Sequence, residues 1–221
     1  MKSVVFDLDG TLADTSADLI AAANACFIGL GEDAQLDPVT DALTAFGGGR
    51  AMLRLGFGRL KQEVSEGDID AQYPVLLGHY EQYIDTHTTL YDGVIDALDE
   101  LARRGYLLGV CTNKPEWLAQ ELLTRLGVRD RFLAMLGADT LPVRKPDPVH
   151  LWTTIEQMGG TRDKAVLIGD TITDRMAAKN ADVPCVLVSF GPEGDAVNRM
   201  EPSALLDHYS QLPDLMDRML S

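Results

Sequence analysis

Asp7 and Asp9 stand two residues apart at the end of the apolar run Val4-Val5-Phe6, and Gly10-Thr11-Leu12 follows them. A second acid pair, Asp170 and Asp174, lies in Gly169-Asp170-Thr171-Ile172-Thr173-Asp174, directly after Ala165-Val166-Leu167-Ile168. Two further polar clusters share this setting. Thr112-Asn113-Lys114-Pro115 follows an apolar run over 107–111, and Lys145-Pro146-Asp147-Pro148 lies in the loop beyond another at 133–136. Each cluster alone has an ordinary explanation, because acids cap helices and glycines make turns. Four in succession, all placed after apolar runs, point instead to one shared polar site. If the acid pairs face each other across adjacent strands, each disfavours the other's ionised form. A hard divalent cation removes that conflict, and a ligand set of oxygens and water favours magnesium over zinc. The competing explanation is four unrelated helix caps.

The elements that must position these clusters alternate. Short apolar runs at 4–8, 107–111, 133–136, 165–168 and 185–188 read as strands buried on both faces. Stretches of helical period separate them at 94–104, 116–126, 149–158 and 175–180. This alternation predicts an α/β fold, a Rossmann-like parallel sheet. Right-handed crossovers place every strand C-terminus on one edge, where ligands bind in such sheets. Residues 14–88 break the rhythm. They hold no clear buried strand and read as helices over 19–30, 50–64 and 71–85, with Leu55, Leu60 and Val64 on one face of the middle helix. Gly47-Gly48-Gly49 is the clearest loop among them. Twelve Asp/Glu against four Lys/Arg put −8 of the chain's −15 in this third. The expected organisation is an α/β core of 1–13 and 89–221, with an inserted α-helical cap of 14–88.

With these four motifs in this order, the chain resembles haloacid dehalogenase superfamily (HAD-like) hydrolases that carry a helical cap. It is most similar to their phosphoglycolate phosphatase-like branch. The resemblance covers nearly the whole chain and implies a role for each motif residue. Asp7 attacks phosphorus and becomes an aspartyl phosphate. Asp9 protonates the leaving oxygen and then takes a proton from the hydrolytic water. Thr112 and the Asn113 backbone N–H bind the phosphoryl oxygens, and Lys145 bridges nucleophile and phosphate. Asp7, the Asp9 carbonyl and Asp170 hold Mg2+, with Asp174 supporting the metal shell. The physics suits these roles, since a carboxylate attacking a phosphate dianion needs cations to offset repulsion. True dehalogenases resemble this chain but lack an acid at position 9, because a departing halide needs no proton. Asp9 therefore favours phosphate ester chemistry. Arg50, after the glycine loop, either pairs with a substrate carboxylate or second phosphate, or is a surface arginine. An arginine there is also similar to β-phosphoglucomutases, so a hexose-phosphate mutase is the alternative activity, and a non-catalytic binding protein a further one.

The remaining features bound these readings. A net charge of −15 argues against bulk attraction to nucleic acid or an anionic membrane. No apolar run approaches the ~18 residues of a spanning helix. Met-Lys-Ser runs straight into a strand-like segment without the pattern of a leader. A cytoplasmic monomer or homodimer acting on a small phosphorylated metabolite is expected. Cys26, Cys111 and Cys185 are odd in number and lack a CxxC, so buried thiols are expected. Asp147 reads as a helix N-cap with Pro148 at the first helical position. Lys114 is either a substrate contact or a surface lysine at a helix start. Asp14 and Thr15 line the cap hinge or cap the next helix. Trp117 and Trp152 read as core or interface residues.

Overall fold

The computed structural model describes residues 1–60 and 65–221. Along the chain run β1 (Ser3–Phe6), β2 (Ala13–Asp14), α1 (Ser16–Gly29), α2 (Ala42–Phe46), α3 (Gly49–Arg59), α4 (Glu66–Gln82) and β3 (Thr89–Leu90). There follow α5 (Val94–Arg103), β4 (Leu107–Cys111), α6 (Glu116–Arg125), β5 (Ala134–Leu136), α7 (Pro148–Gln157) and β6 (Ala165–Gly169). The last elements are α8 (Ile172–Ala181), β7 (Cys185–Val188), β8 (Ala204–Leu206) and α9 (Leu212–Met219). The chain divides into two compact units, one of Met1–Ala13 with Leu90–Ser221, the other of Asp14–Thr89.

The first unit is built on a six-stranded sheet of order β5-β4-β1-β6-β7-β8, parallel throughout. β1 is central because Val4, Val5 and Phe6 are apolar on both faces, and all are fully buried. The chain builds outward from β1 to β4 and β5, then returns to β6 on the other side of β1. That reversal beside β1 is the topological switch point of the sheet. The register pairs Phe6 with Val110 and with Ile168. Asp7 therefore leaves the sheet level with Cys111 and Gly169, one residue before Thr112 and Asp170.

The helices of this unit each bury one stripe. α5 buries Val94, Ala97, Leu98 and Leu101, and α6 buries Leu118, Ala119, Leu122 and Leu123. α7 places Leu151 and Ile155 in one core cluster with Val5 and Leu167. Each such fully buried side chain contributes roughly 1.5–3 kcal/mol. α8 buries only small side chains there, Ala177, Ala178 and Ala181. Small residues let its axis approach the sheet closely, which brings the first turn of α8 to the end of β6.

Among the described residues the second unit has four helices, with α1 packed on α2, α3 and α4. α3 crosses α1 at Gly56, where a Cβ would lie 2.2 Å from the Phe27 ring. Phe57 then meets Phe27 edge to face, with centroids 5.1 Å apart. Asp41, buried, accepts two hydrogen bonds of 2.6 Å from the Arg59 guanidinium. Asp18, buried in the first turn of α1, accepts from the Thr88 amide and hydroxyl, each at 2.8 Å. The returning chain is thus tied to the start of α1.

Several boundaries differ from those predicted. The middle helix predicted over 50–64 is seen as α3 to Arg59, and its end with Val64 lies outside the described residues. α4 starts at Glu66 rather than 71 because Ser65 and Asp68 form a capping box, and the helix continues through Pro74. The triple glycine is shorter as a loop than expected, since Gly47 closes α2 and Gly49 already opens α3. α2, β8 and α9 were not anticipated: β8 has three residues, two of them only half-buried, and the two helices are five and eight residues long. Of the two tryptophans read as core or interface residues, Trp152 packs partly buried against the core and Trp117 is exposed. All three cysteines are buried free thiols.

Candidate active site

The loop after β1 is a tight turn in which the Leu8 carbonyl accepts from the amides of Thr11, Leu12 and Ala13. The Asp7 amide still extends the sheet, donating to the Ile168 carbonyl at 2.9 Å, while its Oδ1 accepts from the Leu8 amide at 2.7 Å. Both ends of the Asp7 side chain's setting are therefore fixed by backbone. Across the sheet, β6 ends at Gly169 because nothing larger fits: a Cβ there would lie 2.4 Å from the Asp174 Cβ. Asp174 sits in the first turn of α8, where its Oδ2 accepts from the Thr171 hydroxyl at 2.7 Å and the Thr171 amide at 3.1 Å. A carboxylate at a helix N-terminus is favoured by the aligned peptide dipoles.

These two strand ends meet. Ligand oxygens of Asp7, Asp170 and Asp174 lie within 4.8 Å of one another, and all three residues are buried. The Lys145 ammonium, also buried, stands 2.9 Å from Asp7 Oδ2 and 2.6 Å from Asp174 Oδ1. Three carboxylates against one ammonium leave an uncompensated negative surplus in a poorly hydrated site. The titration of each group reflects this. Burial pushes Asp7 up to about 7; Asp174 and Asp9 push the same way, and Lys145 opposes them. Asp170 is raised well above the usual range by burial and by the charges of Asp174 and Asp7. Burial works on Asp174 too, but Lys145 and the Thr171 hydrogen bonds outweigh it and hold that carboxyl low. Burial lowers the affinity of Lys145 for its proton, yet Asp174 and Asp7 more than restore it, so the group stays an ammonium.

Thr11 donates its hydroxyl to Asp170 Oδ1 at 2.8 Å. The other oxygen, Asp170 Oδ2, is buried and meets no hydrogen-bond partner among the described residues. An orphaned carboxylate oxygen in a nest of carboxylates is costly unless a cation occupies the space beside it. The donor set is all oxygen, buried and closely grouped, which fits a hard cation of the magnesium type.

The predicted site residues thus separate into groups. Asp7, Asp170, Asp174 and Lys145 are brought together. Thr112 follows β4, its amide bonded to the Leu136 carbonyl at 3.0 Å and its Oγ1 accepting from the Lys114 amide, which leaves its O–H able to donate. The Asn113 side chain donates to the Lys145 carbonyl at 2.9 Å, bracing the loop that carries the lysine. Asp9 contributes no carboxylate to the acid cluster, and its Oδ1 lies 2.7 Å from the Lys114 ammonium. Arg50 belongs to the helical unit, where it donates to Asp70 at 2.5 Å and stacks over Tyr73 at 4.8 Å. Asp147 caps α7, accepting from the Val149 amide at 2.9 Å, with Pro148 at its first turn. Asp14 Oδ1 accepts from the Ser16 hydroxyl at 2.7 Å, at the entry to α1.

Two residues of the site were only partly legible in the sequence. Lys114 is not a surface lysine: its side chain is only 4% exposed. The hydroxyl of Thr11 holds Asp170 Oδ1, and its only sequence signal was its place after Asp-Gly. His150, given no role above, is buried beside the site, its Nε2 3.0 Å from the Gly137 carbonyl and its Nδ1 3.4 Å from Cys111 Sγ.

A parallel sheet with its polar residues at the switch point, an acid cluster and a lysine define a class of hydrolase. Residues 4–188 match the haloacid dehalogenase-like hydrolase family, and the chain belongs to that family. Within it, the chain is 39% identical to a phosphoglycolate phosphatase of Agrobacterium fabrum, covering 98% of this chain and 93% of that protein. It is 36% identical to a phosphoglycolate phosphatase of Mesorhizobium japonicum, covering 98% and 96%. The crystal structure of a predicted phosphoglycolate phosphatase from Haemophilus somnus 129pt shares the fold, with a TM-score of 0.82 over 97% of each chain at 24% identity. The chain groups with the phosphatases of the family, which are phosphoric monoester hydrolases.

Proposed function

We propose that this enzyme is a magnesium-dependent phosphatase of small phosphomonoesters, with phosphoglycolate the leading substrate, working through an aspartyl phosphate on Asp7. The observation that carries the reading is the Lys145 ammonium set between Asp7 and Asp174, beside the orphaned Asp170 Oδ2. The phosphoglycolate phosphatase name of the full-length relatives supports the choice of substrate.

Asp7, Asp170 and Asp174 would hold the cation with the Asp9 carbonyl. When bound, magnesium supplies positive charge that offsets the repulsion between a carboxylate and a phosphate dianion. The protein's own groups do the rest. A bond forms between an Asp7 carboxylate oxygen and phosphorus while the ester P–O bond breaks. The departing oxygen takes a proton from Asp9. Lys145 and the Thr112 hydroxyl, with the Asn113 amide, stabilise the phosphoryl oxygens, and such groups typically matter by ~10²–10³ in rate when removed singly. Water then attacks phosphorus, gives its proton to Asp9, and inorganic phosphate leaves with the Asp7 carboxylate restored. Residues 14–88 are assigned the role of a substrate-selecting cap, with Arg50 a candidate to read an anionic group once released from Asp70.

A phosphate-release screen over small phosphorylated metabolites, with and without magnesium, tests the reading. Release that requires magnesium, is strongest on phosphoglycolate and disappears in Asp7→Asn is expected. Conversion of a hexose 1-phosphate to its isomer without free phosphate would select the mutase instead, and activity confined to phosphoproteins would contradict both.

A further inference from the structure

The ion pair between Lys114 and Asp9 lies outside the lysine and acids that hold one another at the metal-type cluster. Its two partners are 105 residues apart in sequence and 2.7 Å apart in space. The Lys114 side chain is 4% exposed and that of Asp9 19%. A lysine at a helix start normally extends into water, and burying its ammonium is unfavourable unless a partner fixes it. The backbone at this lysine is pinned. Its amide donates to Thr112 Oγ1 at 3.1 Å, its carbonyl accepts from the Ala138 amide at 2.8 Å, and Pro115 follows as the cap of α6. The Asp9 backbone is pinned as well, by a bridge to Ala13 and by the adjacent Gly10 amide on the Ala13 carbonyl. The Lys114 ammonium adds a restraint on rotation of the Asp9 side chain.

We propose that Lys114 is a positioning residue that fixes the Asp9 carboxyl for proton transfer to the leaving oxygen. Lys114 donates no proton in the reaction and need not touch the phosphoryl group. The assignment rests on the phosphatase reading, in which Asp9 is the acid. It carries a signature that a binding or merely structural lysine lacks, because the demand for a proton depends on the leaving group. An alkoxide such as that from phosphoglycolate needs protonation as the P–O bond breaks, whereas p-nitrophenolate leaves with little help.

Steady-state kinetics of wild type, Lys114→Met, Lys114→Arg, Asp9→Asn and the Lys114→Met/Asp9→Asn double variant on both esters test this. In Lys114→Met we expect kcat/KM on phosphoglycolate, which reports the steps through cleavage of the ester bond, to fall by about 10–100-fold, within the range general acid catalysis contributes. On p-nitrophenyl phosphate kcat/KM should fall less than ~3-fold, since the later hydrolysis that Asp9 serves for both esters does not enter it. Lys114→Arg should recover part of the loss, and the double variant should be no slower than Asp9→Asn alone. Equal losses of kcat/KM on both esters, or additive losses in the double variant, would overturn the assignment. If Lys114→Met does not fold, judged by its thermal melt, Lys114→Gln serves the same comparison. A wild-type enzyme that releases phosphate from neither ester would instead overturn the phosphatase reading beneath it.

Discussion

Asp170 shows how much of the site rests on single atoms. One of its oxygens is held by Thr11 and the other is left bare in a buried nest of carboxylates. Thr11→Val removes the hydroxyl that aims the bare oxygen, so magnesium affinity measured by titration calorimetry should fall by roughly tenfold or more, as for other groups that orient metal ligands. Unchanged affinity would separate Thr11 from the metal. The acid cluster also dictates a pH dependence. An unfolded aspartate titrates near 3.8, whereas folded Asp7 holds its proton to about 7, chiefly because it is buried, and Asp170 is raised as well. Asp7 therefore contributes stability to the folded cation-free protein that is full below pH ~4 and is lost as pH rises towards ~7, and Asp170 acts in the same direction. A divalent cation binds the ionised forms, so its stabilisation grows over that same window. Thermal melts with and without magnesium should show a larger rise in Tm at pH ~8 than at pH ~5, at about 2–4 °C per kcal/mol for a chain of this size. A rise independent of pH would contradict the linkage.

At the scale of elements, the junction of β6 and α8 decides the site. Gly169 gives way to Asp174 with no room for a methyl group. Gly169→Ala should push Asp174 and the start of α8 away from Lys145, with kcat reduced more than ~10-fold and a loss of stability of about 1–3 kcal/mol from overpacking. Phosphate-release kinetics and denaturant melts measure the two parts. This junction was half legible in the sequence. The run Ala165–Gly169 was plain because every residue is buried on both faces. The start of α8 was not, since Ile172 is exposed and the helix buries only Asp174 and alanines, a stripe without hydrophobic contrast. β8 was missed because it has three residues, two of them half-buried, and α9, although it buries Leu212 and Met216 on one side, because it is only eight residues long. Asp7, Lys145 and Asp170 were visible because they follow strands of unbroken apolar type. The burial of Lys114 was not, since it depends on a partner 105 residues away.

At the scale of the whole molecule, the residues of the acid cluster and of both lysine pairs all belong to the unit of Met1–Ala13 and Leu90–Ser221. The chain leaves and re-enters this unit through β2 and β3, which pair as a two-stranded sheet. Joining Ala13 to Leu90 by a short Gly/Ser linker should therefore give a chain that melts cooperatively and is still stabilised by magnesium, since loop closure over so short a gap costs little. Circular dichroism melts check this, and a chain that fails to fold would show that the helical unit is needed to form the site. In the proposed reaction Asp7 carries the phosphoryl group between substrate and water. The most direct measurement is acid quenching of the enzyme during turnover of a phosphate-labelled ester with magnesium, followed by peptide mapping. Label on the peptide containing Asp7 and none in Asp7→Asn is expected, whereas rapid turnover with no label on that peptide would rule out an aspartyl phosphate at Asp7.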